Sequence, residues 1–422
     1  MKSIEFNQNE IPQFNERLLL LSEQYQFACI LDSNSYSESI NSGYDLIAGF
    51  GANAIIKSDS FKELEEAYKK NVWLFGFLSY DLKNDLENLT SANNDGLCFP
   101  GLSFFEPEIR VEVNQSLVRI EGLGCREFRK SLEKINVHFS DFSVSKIKRK
   151  ITKREYLDSV IKLKEYIQLG DIFEVNFCQE FFVENDFLDP LSAYNQLMKK
   201  SPVPFACFLK NENQYVMGAS PERFLRRSGT KITSQPIKGT SKRGITKDED
   251  ENQINQLKES IKERSENVMI VDLVRNDFSK VADKGSVKVE ELFGIYTFPQ
   301  VHQMISTVSC NTRPDLSSIE IIKQCFPMGS MTGAPKIRAM KLIEKYESSK
   351  RGLFSGAIGY IKPNGDFDFN VVIRSILYNK KNRYISFMVG GAITIGSDPE
   401  AEYDEAILKA EAIFEILTKK ID

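Results

Sequence analysis

Lys238, Glu222 and two acidic pairs are the residues whose types and spacing suggest chemistry. Lys238 stands in Pro236-Ile237-Lys238-Gly239-Thr240, on an expected strand. A free lysine has a pKa near 10.4, so at pH 7 only about one molecule in 2,500 is the neutral nucleophile. Covalent use requires that pKa to be depressed, by burial or by a nearby cation. Lowering it to about 7.4 costs roughly 4 kcal/mol of differential solvation. Taken alone, Lys238 also fits a strand lysine whose stem lies along apolar surface.

Glu263 and Glu266 are three residues apart on an expected helix, and so are Glu402 and Glu405, with Lys409 four further on. That spacing puts each pair on one helix face. Carboxylates so placed suit Mg²⁺, which takes hard oxygen ligands and keeps waters that a substrate anion can replace. Each pair also fits a solvated helix face. Glu222, in Ser220-Pro221-Glu222-Arg223-Phe224, adjoins an arginine, and a surface ion pair is its ordinary reading. His302 is one of two histidines and follows the β-rich residues 296–301; by itself it fits a satisfied core or surface position.

Glycine-rich stretches add anion-binding potential. Gly329-Ser330-Met331-Thr332-Gly333-Ala334-Pro335-Lys336 precedes a helical run over 337–344. Free N–H groups at a helix start suit a carboxylate or phosphate. The Gly-x-x-x-x-Gly-Lys spacing of a P-loop is absent. Gly390-Gly391 follows an apolar strand, and Gly239 follows Lys238. Tight turns explain these glycines equally well.

The elements that must position these residues are legible mainly in the second half. Thr152 and Glu155 form a capping box, opening a helix with Tyr156, Val160, Ile161 and Ile167 inward, and Gly170 ends it. Residues 172–177 and 179–183 read as strand, 248–274 as one long helix and 400–418 as another. Further strands are expected over 356–361, 369–377 and 384–395. Residues 1–140 alternate short apolar runs, such as 27–31 and 73–78, with helices such as 60–69. The polar, basic stretch 140–150 reads as a connection to a catalytic region over 151–420. Strands and helices do not alternate strictly, so an α+β fold with antiparallel sheets is expected rather than a doubly wound one.

Bulk properties narrow the function classes. At 422 residues the chain allows two or three domains, and 41% hydrophobic with 27% charged residues is an ordinary globular composition. A net charge of −4 gives no pull toward nucleic acid or an anionic membrane, so a small anionic substrate needs a local positive site. Seven cysteines without a CxxC pair read as reduced thiols. Met1-Lys2-Ser3-Ile4-Glu5 lacks the apolar stretch of a secretion signal, and no run approaches the roughly 20 apolar residues of a membrane span. A cytoplasmic enzyme is expected.

Taken in order, these segments resemble the chorismate-binding enzymes: anthranilate synthase large subunits, aminodeoxychorismate synthase component I, isochorismate synthases and salicylate synthases. The resemblance is dense from 151 to about 417. It rests on Gly170-Asp171-Ile172-Phe173, Ser220-Pro221-Glu222-Arg223, residues 236–244, Lys262-Glu263-Arg264-Ser265-Glu266, Asp272-Leu273-Val274-Arg275-Asn276-Asp277, residues 326–338, Ile373-Arg374 and residues 398–409. It is looser in the N-terminal part, through residues 76–83. It implies two antiparallel sheets packed as a sandwich with helices outside, the N-terminal α+β part contributing to that sandwich.

The resemblance also implies roles. Glu266 and Glu405 match the Mg²⁺ ligands, with Glu263 and Glu402 as neighbouring acids that hold metal-bound water. Glu222 matches the general acid that protonates the departing C4 hydroxyl. His302 and Ser330 match groups near the ring and its carboxylate. Arg374, Gly390, Gly391 and Lys409 match the groups that hold the substrate carboxylates, and Thr240 completes the lysine motif. Pro-Ile-Lys-Gly-Thr resembles the aminodeoxychorismate synthases, whereas anthranilate synthases resemble Pro-Ile-Ala-Gly-Thr. The implied reaction is attack of Lys238 on C2, then ammonia entry at C4 to give 4-amino-4-deoxychorismate, a precursor of 4-aminobenzoate for folate. Ammonia would come from a glutamine amidotransferase (glutaminase) subunit. The alternatives are anthranilate synthase component I and isochorismate synthase. Two positions depart from the pattern. Glu174 stands where aminating members carry Gln and water-adding members carry Lys, which argues against isochorismate or salicylate synthesis. Phe354 stands where many relatives have Tyr, keeping a ring stack without the hydroxyl.

Overall fold

A computed structural model describes residues 2–36 and 43–418. Among the described residues, one antiparallel sheet has twelve strands and a second has ten. Apolar side chains from both pack between them: Phe27, Cys207 and Val216 from the larger sheet meet Phe75, Phe77 and Phe369 from the smaller. A second core lies on the outer face of the larger sheet, under helices Phe14–Leu21, Cys125–Lys134, Pro190–Lys200 and Pro399–Leu417. The α+β sandwich is therefore observed.

Both halves of the chain build both sheets. Strand Phe27–Asp32 pairs with Phe205–Asn211, and Leu74–Leu78 pairs with Ala357–Ile361. Residues 135–147 carry no regular element.

Local chemistry fixes most of the element ends. Helix Lys153–Gln168 starts on the reciprocal Thr152–Glu155 capping box, and Gly170 beyond it has φ +76°. Its inward face is Tyr156, Val160 and Leu163; Ile161 is exposed. The expected helix over 248–274 is two helices, Lys247–Glu259 and Ile261–Ser279. Ser260 stands between them in an extended conformation and caps the second, its hydroxyl accepting from the Glu263 N–H. The expected strand over 369–377 is likewise split into Phe367–Asn370 and Ser375–Asn379, with Arg374 between them at φ +50°. By contrast, the two strands expected over 172–177 and 179–183 are one strand, Glu174–Glu184, paired from Val175 to Glu184 with Tyr384–Ile393. Among the described residues no helix is long and apolar enough to cross a membrane.

Candidate active site

A cleft of about 800 Å³, open solvent included, lies where the two sheets meet helices Ile261–Ser279 and Pro399–Leu417. Lys238 reaches it from strand Ile237–Lys242. Glu222 comes from the turn between strands Gln214–Ser220 and Arg223–Ser228, and Ser330 from the short turn Gly329–Met331. Glu263 and Glu266 come from one helix, Glu405 and Lys409 from the other. Thr240, Phe354, Arg374, Gly390 and Gly391 complete the expected lining.

Gly390 is required by a close backbone approach. A Cβ there would stand 2.0 Å from the carbonyl oxygen of Phe177 on the neighbouring strand. At Gly391 a Cβ would point toward the Glu402 carboxylate, 3.3 Å away.

Burial and neighbouring charges shift the carboxyl groups of the cleft in different directions. Burial pushes Glu222 up to about 7, against a 2.6 Å hydrogen bond from the Ser330 hydroxyl. A carboxyl in that range holds a proton to deliver near neutral pH. Burial likewise pushes Glu266 up to about 7, and its Oε1 has no hydrogen-bond partner among the described residues. Burial also raises Glu263, whereas Lys409, 2.7 Å away, holds Glu405 below the usual carboxylate range. Arg374 lines the cleft, where burial lowers it to about 10 against the opposing charge of Glu222.

Lys238 departs from expectation. Its Nζ donates to Oε1 of Glu174 at 2.7 Å, and both groups are buried. Burial alone would lower its pKa, but Glu174 and then Glu266 outweigh it, and the net shift is upward. The depressed pKa expected of a nucleophilic lysine is thus not the state of this site, which holds an ammonium–carboxylate pair.

Residues 25–415 match the chorismate binding enzyme family. The chain belongs to the chorismate-binding enzymes. It is 40% identical to a probable chloroplastic aminodeoxychorismate synthase of Oryza sativa subsp. japonica over 71% of this chain and 34% of that one. It is 34% identical to aminodeoxychorismate synthase component 1 of Escherichia coli (strain K12), over 82% of this chain and 76% of that one. The chain thus spans about a third of the rice relative's length. The solved structure of anthranilate synthase component I from Streptococcus pneumoniae TIGR4 superposes with a TM-score of 0.77 at 25% identity, covering 86% of this chain and 91% of that one.

Within this family fold, three expected site residues stand off the cleft lining. His302 is the principal correction. Its strand, Val301–Asn311, turns alternate side chains to opposite faces. The imidazole lies away from the cleft, 2.9 Å from the Thr297 hydroxyl through Nδ1 and 2.8 Å from Asp250 Oδ1 through Nε2. Gln303, its neighbour, lines the cleft instead, and its Oε1 is buried without a hydrogen-bond partner among the described residues. Sequence reading passed over Gln303 because an amide carries no acid–base signal; strand alternation was the available clue. Glu402 is buried beside the cleft and accepts from Lys262 at 3.0 Å. Glu174 is bonded to Lys238 and is not part of the cleft lining. Asn176, two residues along the same strand, also lines the cleft and was not singled out.

The donor set fits Mg²⁺. Among the described residues no three His, Cys, Asp or Glu side chains converge as a ready metal cage. Mg²⁺ does not need one, since it is typically held by one or two carboxylates, waters and a substrate anion. Glu266 presents a buried, unpartnered oxygen, and Glu263 and Glu405 line the same cleft.

Proposed function

We propose that this chain aminates chorismate at C4 to form 4-amino-4-deoxychorismate, as an aminodeoxychorismate synthase component I. The observation that carries the reading is Lys238 in the same cleft as the proton-holding Glu222, within a family whose similar members are named for this activity.

Arg374 and Lys409 bind the substrate carboxylates, and Phe354 stacks on the ring. Glu266 and Glu405 hold Mg²⁺, which when bound offsets the negative charge that the carboxylates and a dianionic substrate bring together. Lys238 gives its proton to Glu174, and the neutral amine attacks C2. Glu222 protonates the C4 hydroxyl, which departs as water. Ammonia then adds at C4 and expels the lysine as an amine. Glu222 recovers a proton from the new C4 ammonium, and Lys238 recovers its own from Glu174. The net change is chorismate plus ammonia to 4-amino-4-deoxychorismate plus water. A glutaminase subunit supplies the ammonia, and the product serves 4-aminobenzoate and folate synthesis.

The test is incubation with chorismate, Mg²⁺ and ammonium, with products identified by mass. 4-Amino-4-deoxychorismate is expected. Anthranilate or isochorismate as the product would overturn the assignment.

A further inference from the structure

The two helices that carry the acidic pairs are joined by a cation outside the cleft lining. Lys262 sits in the first turn of helix Ile261–Ser279. Its Nζ donates to Glu402 Oε1 at 3.0 Å and lies 3.9 Å from Glu266 Oε1. The Glu266 contact follows from i,i+4 spacing on one helix. The Glu402 contact does not, because it crosses to helix Pro399–Leu417. Glu402 is 2% exposed, and Lys262 is the cation bonded to it.

The second cation of the cluster is employed differently. Lys409 pairs with Glu405 at 2.7 Å, also donates to the Gly390 carbonyl at 3.2 Å, and lines the cleft. Lys262 is not part of the cleft lining and has no such second duty. Four carboxylates, Glu263, Glu266, Glu402 and Glu405, therefore face three ammonium groups, of which Lys238 is already paired with Glu174. A buried carboxylate left without a counter-charge is costly, so Lys262 is what makes Glu402 tolerable without a metal. Its side chain is 42% exposed, and a long flexible stem of that kind can swing into water.

We propose that Lys262 is a built-in counter-cation that holds the acid cluster together in the absence of metal and yields when a divalent cation binds. A divalent ion drawn to these acids meets an ammonium already placed on two of them. Like charges at such range repel, by an amount that the half-exposure of Lys262 to water reduces. Lys262 therefore weakens the intrinsic metal affinity, and metal binding releases it to solvent. The inference rests on the reading of these acids as metal-binding residues.

Mn²⁺ is the probe, with free ion read by electron paramagnetic resonance during titration. Lys262→Met keeps the apolar stem and removes the charge. It should bind Mn²⁺ about fivefold or more tightly than the unmodified chain, the size expected for losing one competing, half-exposed ion pair. It should also melt at a lower temperature in chelator, with the gap closing at saturating Mn²⁺. A second measurement needs no variant. Amine acylation of the unmodified chain, read by mass spectrometry, should modify Lys262 several-fold faster once Mg²⁺ is present. Equal Mn²⁺ affinities, or unchanged Lys262 labelling under conditions where Mn²⁺ binds, would overturn this inference alone. Absence of Mn²⁺ binding in both chains would overturn the metal reading as well.

Discussion

Lys238 Nζ and Glu174 Oε1 stand 2.7 Å apart in a site that solvent barely reaches, and the second Glu174 oxygen has no hydrogen-bond partner among the described residues. The pair raises Lys238 above its ordinary value of 10.5, so its contribution to stability is complete at neutral pH. That contribution is lost only as pH climbs through the alkaline range. Lys238→Ala should abolish C4 amination while chorismate still binds, and should destabilise the fold by roughly 3–5 kcal/mol, because it strands a buried carboxylate. Adding Glu174→Gln to that variant should restore much of the loss in urea denaturation. Glu174→Gln alone should move the onset of Lys238 acylation to lower pH, since the leading upward influence is gone. An unchanged onset would refute the coupling.

The Glu222 carboxyl, raised by burial from 4.5 to about 7, makes two predictions about pH. As a proton donor it is competent when protonated, so the amination rate should fall as pH rises through about 7. Its folded pKa is raised, so the stability it contributes is complete below about 4.5 and disappears as pH rises through about 7. Glu222→Gln should flatten that part of the stability profile and remove the matching limb of the rate profile.

Glu266, also near 7 without a metal, must lose its proton to serve as a ligand. Metal affinity should therefore weaken below pH 7, and binding there should release protons. Calorimetry in buffers of different ionisation enthalpy measures that release directly. Glu266→Gln or Glu405→Gln should sharply raise the Mg²⁺ concentration needed for turnover; an unaltered Mg²⁺ titration would count against the ligand roles.

His302 and Gln303 should separate cleanly. His302→Gln breaks contacts to Asp250 and Thr297 away from the cleft, so it should lower the melting temperature with little change in kcat/KM for chorismate. Gln303→Ala removes an unpartnered amide oxygen at the cleft wall, so it should raise KM about fivefold, the worth of one neutral hydrogen bond, with little change in stability. The reverse pattern would restore His302 to the site.

Much of this protein was determined by local rules that a sequence displays. The Thr152–Glu155 capping box, the turn at Gly170 and the i,i+3 acidic pairs depend on neighbours within a few residues. The ordered blocks from 170 to 409 identified the family without any structure, and twelve of the fifteen expected site residues, all but Glu174, His302 and Glu402, line one cleft. The tertiary structure decided what depends on partners far along the chain. Lys238 is an ammonium because Glu174, 64 positions earlier, meets it in a buried site. Glu402 is held by Lys262 across 140 positions. Gln303 rather than His302 faces the cleft because pairing with strand Ile237–Lys242 fixes which face of their strand is turned inward. Sequence specifies the chemical groups and their local spacing; long-range pairing sets their protonation, their counter-charges and the direction in which they point.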